Sequence, residues 1–154
     1  MDYLTESDER TRLFGEALAT ALRAGDAVLL RGDLGAGKSV LARGIARGLG
    51  VDEPMPSPTF MLMLPYEGKD CPVYHFDLYR LEDMEEFCAA GLDEMIDGDG
   101  VCLIEWPLEG LNPCRCMEIH IQRAEDAAQR IIRLDASRFG REIGETLGQW
   151  EVSL

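Results

Sequence analysis

One glycine-rich segment constrains this chain more than any other feature. The segment Gly32-Asp33-Leu34-Gly35-Ala36-Gly37-Lys38-Ser39 matches G-x-x-x-x-G-K-[ST], the pattern of a phosphate-binding P-loop. Before it, the apolar run at residues 27–30 predicts a buried strand. After it, apolar residues recur at helical spacing: Val40, Leu41, Ile45 and Leu49. The sequence therefore predicts a strand, a P-loop and a helix in the order that a phosphate site needs.

The residue types within this loop suit a nucleoside triphosphate. Gly35 and Gly37 let the backbone turn its N–H groups toward phosphates, and the start of the following helix adds its positive dipole end. Lys38 can reach the β- and γ-phosphates, and the Ser39 hydroxyl can ligate Mg²⁺. The alternative is a glycine-rich turn that binds nothing. Because motif and flanking sequence agree, they favour nucleotide binding.

Length and charge limit the classes of function. A chain of 154 residues is expected to form one domain over residues 1–154. It has 15 Lys and Arg against 29 Asp and Glu, a formal net charge of −14. Such a surface repels nucleic-acid backbones, so we expect no direct, tight nucleic-acid binding. The acidity indicates either an ordinary solvated surface or docking onto a basic protein partner.

Cysteine content and hydropathy indicate a cytoplasmic protein without a membrane segment. The five cysteines are scattered, odd in number and not preceded by a secretory signal, which predicts free thiols in a reducing compartment. Their spacing does not match a zinc site. No apolar run approaches the length of a membrane span.

The chain between the P-loop helix and residue 80 predicts a proline-rich loop and two antiparallel strands. Three prolines exclude helix from residues 51–58, which form an ordered or switchable loop. Residues 59–66 and 73–80 read as strands joined by a turn. A period of two places His75, Asp77 and Tyr79 on one face of the second strand. That polar face is either solvated or part of the site.

A second fully apolar run, residues 101–104, is followed directly by Glu105-Trp106-Pro107. A hydrophobic strand that delivers an acidic residue at its carboxyl end has the arrangement of a Walker B element. The carboxylate would then lie beside the phosphates. Glu105 can hold Mg²⁺ directly or through water, or orient the attacking water.

The remaining segments predict structural elements. Residues 5–23 form an amphipathic helix that Thr5 and Asp8 would cap, and residues 81–90 a short acidic helix. Residues 117–121 and 130–134 form a hairpin, and Ser137 would cap a last helix. No site is expected in the hairpin or the last helix.

Four ordered motifs resemble the TsaE family, small bacterial ATPases of tRNA threonylcarbamoyladenosine biosynthesis. They are the P-loop, Ser57-Pro58-Thr59, Tyr74-His75-Phe76-Asp77-Leu78-Tyr79-Arg80-Leu81 and Glu105-Trp106-Pro107. The resemblance implies a single-domain α/β P-loop NTPase fold, with a mixed parallel and antiparallel sheet flanked by helices. It also implies ATP hydrolysis in support of a TsaD–TsaB pair, which transfers a threonylcarbamoyl group to a tRNA adenosine.

The resemblance also implies roles for individual residues. Ser39 and Glu105 would be the Mg²⁺ ligands, Thr59 would act in a switch-like segment, and Asp77 would support activity alongside Lys38. Ser39 replaces the family's usual Thr but keeps the hydroxyl. Asp8, which lies in no clear motif, is a candidate adenine contact. The other expected nucleotide contacts are Asp33, Leu34, Gly35, Ala36, Gly37, Lys38, Ser39 and Trp106.

Two rival classes share the P-loop. A small-molecule kinase would use Asp77 or Glu105 as a base, but no lid segment with clustered arginines is present. A GTPase switch normally carries an N-K-x-D motif, which does not occur, and this favours adenine. No arginine occupies an obvious finger motif near the P-loop, so we expect the isolated chain to be a weak ATPase that a partner completes.

Overall fold

The computed structural model describes residues 1–58 and 60–150, which are organised around a seven-stranded sheet. The strands are β1 Asp2–Thr5, β2 Asp26–Arg31, β3 Met63–Glu67, β4 Pro72–Asp77, β5 Val101–Glu105, β6 Arg115–Arg123 and β7 Arg130–Asp135. Their order across the sheet is β1-β7-β6-β2-β5-β4-β3. The four central strands are parallel, and the other pairs are antiparallel. The predicted mixed sheet is confirmed.

Helices cover both faces of this sheet. The helices are α1 Asp8–Ala19, α2 Lys38–Gly48, α3 Met84–Ala89 and α4 Gly144–Leu147, with 3₁₀ turns at Leu92–Met95 and Gly148–Trp150. Along β2, Val28 and Leu30 belong to the core that holds α1 and α2, whereas Ala27 and Leu29 belong to the core that holds Phe87 of α3. Burial of β2 on both faces explains why its sequence is apolar without alternation.

Two glycines allow the backbones of α1 and α2 to touch. A Cβ added at Gly44 would lie 2.2 Å from the carbonyl oxygen of Arg12, and one added at Gly15 would lie 2.8 Å from that of Leu41. Both distances are shorter than real Cβ contacts allow. Close packing of the two helices fixes α2, and therefore the P-loop that precedes it, against the start of α1.

The N-terminal segment differs from the prediction. Thr5 belongs to β1, a strand that the sequence analysis did not predict, and its hydroxyl lies 2.6 Å from that of Thr11. Helix α1 begins at Asp8, and its N-cap is Ser7, whose Oγ accepts a hydrogen bond from the Arg10 N–H at 3.1 Å. The predicted capping pair of Thr5 and Asp8 is therefore wrong, because edge pairing with β7 draws Thr5 into the sheet.

Other predicted boundaries are also wrong. Strand β4 ends at Asp77 rather than at residue 80. Strand β3 begins at Met63 rather than at residue 59, because Leu62 has a left-handed φ of 64° and its N–H bonds the Pro58 carbonyl at 2.7 Å in a turn. Ser137 does not cap a helix; its N–H donates to Asp135, and α4 starts only at Gly144.

The expected free thiols are present among the described residues. All five cysteines have free thiols. Among the helices of residues 1–58 and 60–150, none has both the length and the apolar character that crossing a bilayer would require.

Candidate nucleotide-binding site

A cavity of about 280 Å³ lies beside the P-loop and the carboxyl ends of β4 and β5. In open α/β sheets, ligands bind outside this edge of the strands. The lining residues come from six separate parts of the chain: Asp8, Leu34, Gly35, Gly37, Lys38, Ser39, Val40, Ser57, Asp77, Glu105, Trp106 and Arg130. The fold thus brings the P-loop, Glu105 and Asp77 together around one cavity.

The P-loop has the backbone that its glycines predict. Gly35 and Gly37 adopt left-handed φ values of 79° and 112°, which favour residues without a Cβ. Helix α2 begins at Lys38, directly after the loop, so its free N–H groups and positive dipole end lie at the cavity. Two of the predicted nucleotide contacts, Asp33 and Ala36, are in the loop, but they are not among the residues that line the cavity.

The Lys38 ammonium is held at the cavity by backbone oxygens. Its Nζ donates to the carbonyls of Gly32 at 2.5 Å and Asp33 at 2.9 Å, and it lies 4.1 Å from the ring centroid of Trp106. Burial lowers the pKa of Lys38, and the carboxylates of Glu105, Asp77 and Asp33 oppose this shift. A mostly desolvated cation at this position interacts strongly with an anion because little water screens it.

Ser39 and Glu105, the two expected Mg²⁺ ligands, are direct neighbours. The Ser39 hydroxyl lies 3.0 Å from Oε1 and 3.3 Å from Oε2 of Glu105. Glu105 is 3% exposed, and His75 Nε2 lies 2.6 Å from its Oε2. His75 lies on the face of β4 that the period of two predicts, but the sequence does not indicate its contact with Glu105.

Asp77 occupies the position opposite Glu105 on the neighbouring strand. It is 7% exposed and lines the cavity, and its Oδ1 accepts a hydrogen bond from the Tyr79 N–H at 3.1 Å. The alternative of a solvated strand face is therefore wrong for His75 and Asp77, because both side chains are buried. Tyr79 follows the strand and is 61% exposed, with its ring 5.0 Å from that of Trp106.

Trp106 links the end of β5 to the P-loop. It has a left-handed φ of 56°, which is uncommon for a bulky residue and recurs at functional sites. Its backbone N–H donates to the Leu30 carbonyl at 3.3 Å, and its ring lies over the Lys38 ammonium. Trp106 lines the cavity, and its contact with a nucleotide stays a prediction.

The β6–β7 hairpin contributes to the site, contrary to expectation. Arg130 is 7% exposed, lines the cavity and donates from Nε to the Ala36 carbonyl at 2.8 Å. Arg123, its register partner, donates to the Gly35 carbonyl at 3.1 Å. Asp8 also lines the cavity, 3.8 Å from Arg130. No local motif marks these arginines, because they meet the P-loop only through sheet pairing.

Thr59, the predicted switch residue, lies outside the described residues. Its neighbour Ser57 lines the cavity. The proline-rich loop that contains Ser57 therefore reaches the cavity, and the role of Thr59 stays a prediction.

Replacing Asp77 with asparagine tests its role in the site. We expect ATP hydrolysis to fall by about 100-fold, in the range of a lost acid–base or water-orienting group, with nucleotide affinity retained. Asparagine keeps an oxygen for the Tyr79 N–H, so the melting temperature should change little. Asp93→Asn removes the same charge from an exposed position and is the matched control. Wild-type turnover in a folded Asp77→Asn variant would show that Asp77 is structural.

Comparison with known proteins decides the family. The family model described as threonylcarbamoyl adenosine biosynthesis protein TsaE matches residues 5–132. The chain belongs to the TsaE family. The tRNA threonylcarbamoyladenosine biosynthesis protein TsaE of Bacillus subtilis is 39% identical over 133 residues, which are 85% of this chain and 83% of that protein. Its counterpart in Streptomyces coelicolor is 44% identical over 144 residues, 88% of this chain and 82% of the relative.

The fold is similar to a solved structure as well. The crystal structure of YdiB from Bacillus subtilis matches with a TM-score of 0.79 and 33% sequence identity, over 97% of this chain and 95% of that one. The resemblance of the four motifs to the TsaE family is therefore confirmed over nearly the whole chain.

Proposed function

We propose that this TsaE family protein binds ATP with Mg²⁺ and hydrolyses the ATP in support of tRNA threonylcarbamoyladenosine biosynthesis. Membership of the TsaE family assigns the protein to tRNA threonylcarbamoyladenosine biosynthesis. The observation that carries the proposed chemistry is the convergence of Lys38, Ser39 and Glu105 on one cavity at the start of α2. This arrangement provides a phosphate cradle, a cation and an acidic metal ligand in one place.

The residues fit a magnesium ion that nucleotide phosphates help to hold. Mg²⁺ prefers oxygen ligands and is usually bound by one or two protein groups together with phosphates and water. The Ser39 hydroxyl and the Glu105 carboxylate are such a pair. Within residues 1–58 and 60–150, no three His, Cys, Asp or Glu side chains could form a metal site by themselves. When bound, Mg²⁺ would withdraw charge from the β- and γ-phosphates.

The protein's own groups would bind the phosphates, orient the attacking water and contact the nucleoside. The N–H groups of the P-loop and the Lys38 ammonium bind the phosphates, and Trp106 shields the ammonium from water. Asp77, beside Glu105, is placed to orient the attacking water or to accept its proton. Asp8 and Arg130 line the cavity together and are suited to contact the nucleoside part of ATP.

The partner in this proposal is a TsaD–TsaB-like complex that docks beside the cavity, in the cytoplasm where tRNA is modified. Four exposed apolar side chains support this: Leu34, Phe60, Met61 and Tyr79 are 61–85% exposed. Leu34 lines the cavity, and Tyr79 contacts Trp106. Exposed apolar groups close to a functional site are typical of protein interfaces. The net charge of −14 favours a basic partner surface.

Steady-state hydrolysis tests this function. The chain is assayed alone and with increasing TsaD–TsaB pair, at low and high salt, with GTP in place of ATP as the control nucleotide. We expect weak ATP turnover alone, a rise of at least tenfold with the pair, and a smaller rise at high salt. Fast turnover that the pair never changes would contradict the partner role. A phosphorylated small-molecule product would instead identify a kinase.

A further inference from the structure

His75 is a buried polar residue that touches the site without lining it. It lies in the middle of β4 and is 1% exposed, and its side chain is not among the groups that surround the cavity. Its Nε2 lies 2.6 Å from Oε2 of Glu105 on the neighbouring strand. Any effect of His75 on a ligand must therefore pass through Glu105.

The contacts of Glu105 leave its carboxylate with a defined orientation. His75 contacts Oε2 alone, while the Ser39 hydroxyl of the P-loop lies 3.0 Å from Oε1 and 3.3 Å from Oε2. The parallel register of β4 and β5 fixes the distance between the two backbones, with His75 opposite Leu103 and Asp77 opposite Glu105. The carboxylate is thus held by a buried residue of the neighbouring strand that does not line the cavity.

The second ring nitrogen of His75 shows that packing alone does not explain this residue. Nδ1 is buried and has no hydrogen-bond partner among the described residues. A buried polar atom without a partner destabilises the fold, and an apolar side chain would avoid that penalty. Of the two neutral tautomers, the one with its proton on Nε2 suits these surroundings. Nε2 then donates a hydrogen bond to Glu105, and Nδ1 is left as an acceptor without a donor.

We infer that His75 is a positioning residue, which donates from Nε2 to Glu105 and holds that carboxylate toward the metal side of the cavity. The inference rests on the proposed function, because Glu105 is the proposed metal ligand. In metal sites, partners that orient a ligand typically change metal affinity or activity by about 10- to 100-fold when they are lost. The ligand is a divalent cation, and Mn²⁺ serves as the probe.

A pair of amide substitutions separates this role from a structural one. The amide nitrogen of His75→Gln extends about as far as Nε2 and can reach Glu105, whereas that of His75→Asn ends near the position of Nδ1 and cannot. Both variants bury a neutral amide, so their melting temperatures should be similar. Mn²⁺ binding is measured by electron paramagnetic resonance with a non-hydrolysable ATP analogue, and nucleotide binding without metal is measured separately.

We expect His75→Asn to weaken Mn²⁺ binding at least tenfold and His75→Gln to stay within about threefold of wild type. Metal-free nucleotide binding should be equal in all three proteins. Undiminished Mn²⁺ binding by folded His75→Asn would overturn the inference and leave the proposed function intact. Failure of the wild type to bind Mn²⁺ with the analogue would instead overturn the proposed metal site.

A measurement on the unmodified chain covers the case in which neither variant folds. Nitrogen-15 NMR of the imidazole distinguishes a proton on Nε2 from one on Nδ1. We expect the His75 signal of the Nε2–H form. A proton on Nδ1 alone, which leaves Nε2 unable to donate to Glu105, would overturn the inference.

Discussion

Lys38→Ala should weaken ATP binding by roughly tenfold to a hundredfold and reduce hydrolysis further. Lys38 is 5% exposed, and the carbonyls of Gly32 and Asp33 hold its ammonium at the cavity. A hydrogen bond to a charged group contributes about 1.5–3 kcal/mol, which corresponds to that range of affinity. Because the contact strengthens as charge develops on the phosphates, turnover should fall more than affinity.

The chain offers a matched control for this prediction. Lys69, the other lysine in the sequence, is exposed, so Lys69→Ala removes the same charge away from the cavity. Binding is measured by calorimetry or by fluorescence of Trp106, whose ring lies 4.1 Å from the ammonium. Thermal unfolding checks that each variant is folded. If Lys38→Ala binds ATP as tightly as Lys69→Ala, the P-loop assignment fails.

The parts of the site that could be predicted are those that one continuous segment encodes. The P-loop carries its glycines, Lys38 and Ser39 within eight residues, so the local sequence specifies both conformation and chemistry. Glu105 was predictable for a related reason, since a buried strand ending in an acid places that acid at the ligand edge of a parallel sheet.

The parts that were missed depend on pairing between distant segments. Arg130 contacts Ala36 across 94 residues of chain, and only the β6–β7 register places it there. Strand β1 is four residues long and lies at the sheet edge, so its sequence is too short for a clear alternation. His75 was assigned to the correct face, but its contact with Glu105 follows from the β4–β5 register, which the sequence does not state.

The boundary errors have a local physical cause. Residues 60–64 are all apolar, and such a run within residues 59–66 predicts a strand. The backbone of Leu62 nevertheless adopts a left-handed conformation and closes a turn on Pro58. This turn holds the exposed side chains of Phe60 and Met61 outside the sheet. The two apolar residues therefore belong to the protein surface and not to a paired strand.

The second large effect is expected for Glu105→Gln, which should reduce ATP hydrolysis by about 100- to 1,000-fold while nucleotide binding changes little. The two side chains have the same shape, and an amide oxygen at the position of Oε2 can still accept hydrogen bonds from His75 and Ser39. The fold should therefore be retained. The change removes the negative charge that a Mg²⁺ ligand supplies, so the loss should appear mainly in kcat.

The dependence of turnover on Mg²⁺ concentration distinguishes a metal ligand from a structural residue. Hydrolysis is measured from limiting to saturating Mg²⁺, with thermal unfolding and metal-free nucleotide binding as checks on folding. Glu109→Gln, four residues further along and exposed, is the control for loss of one carboxylate charge. We expect the Mg²⁺ concentration for half-maximal turnover to rise in Glu105→Gln alone. Wild-type turnover of that variant at limiting Mg²⁺ would show that the carboxylate only supports the fold. A metal ligand that loses its negative charge must bind Mg²⁺ more weakly.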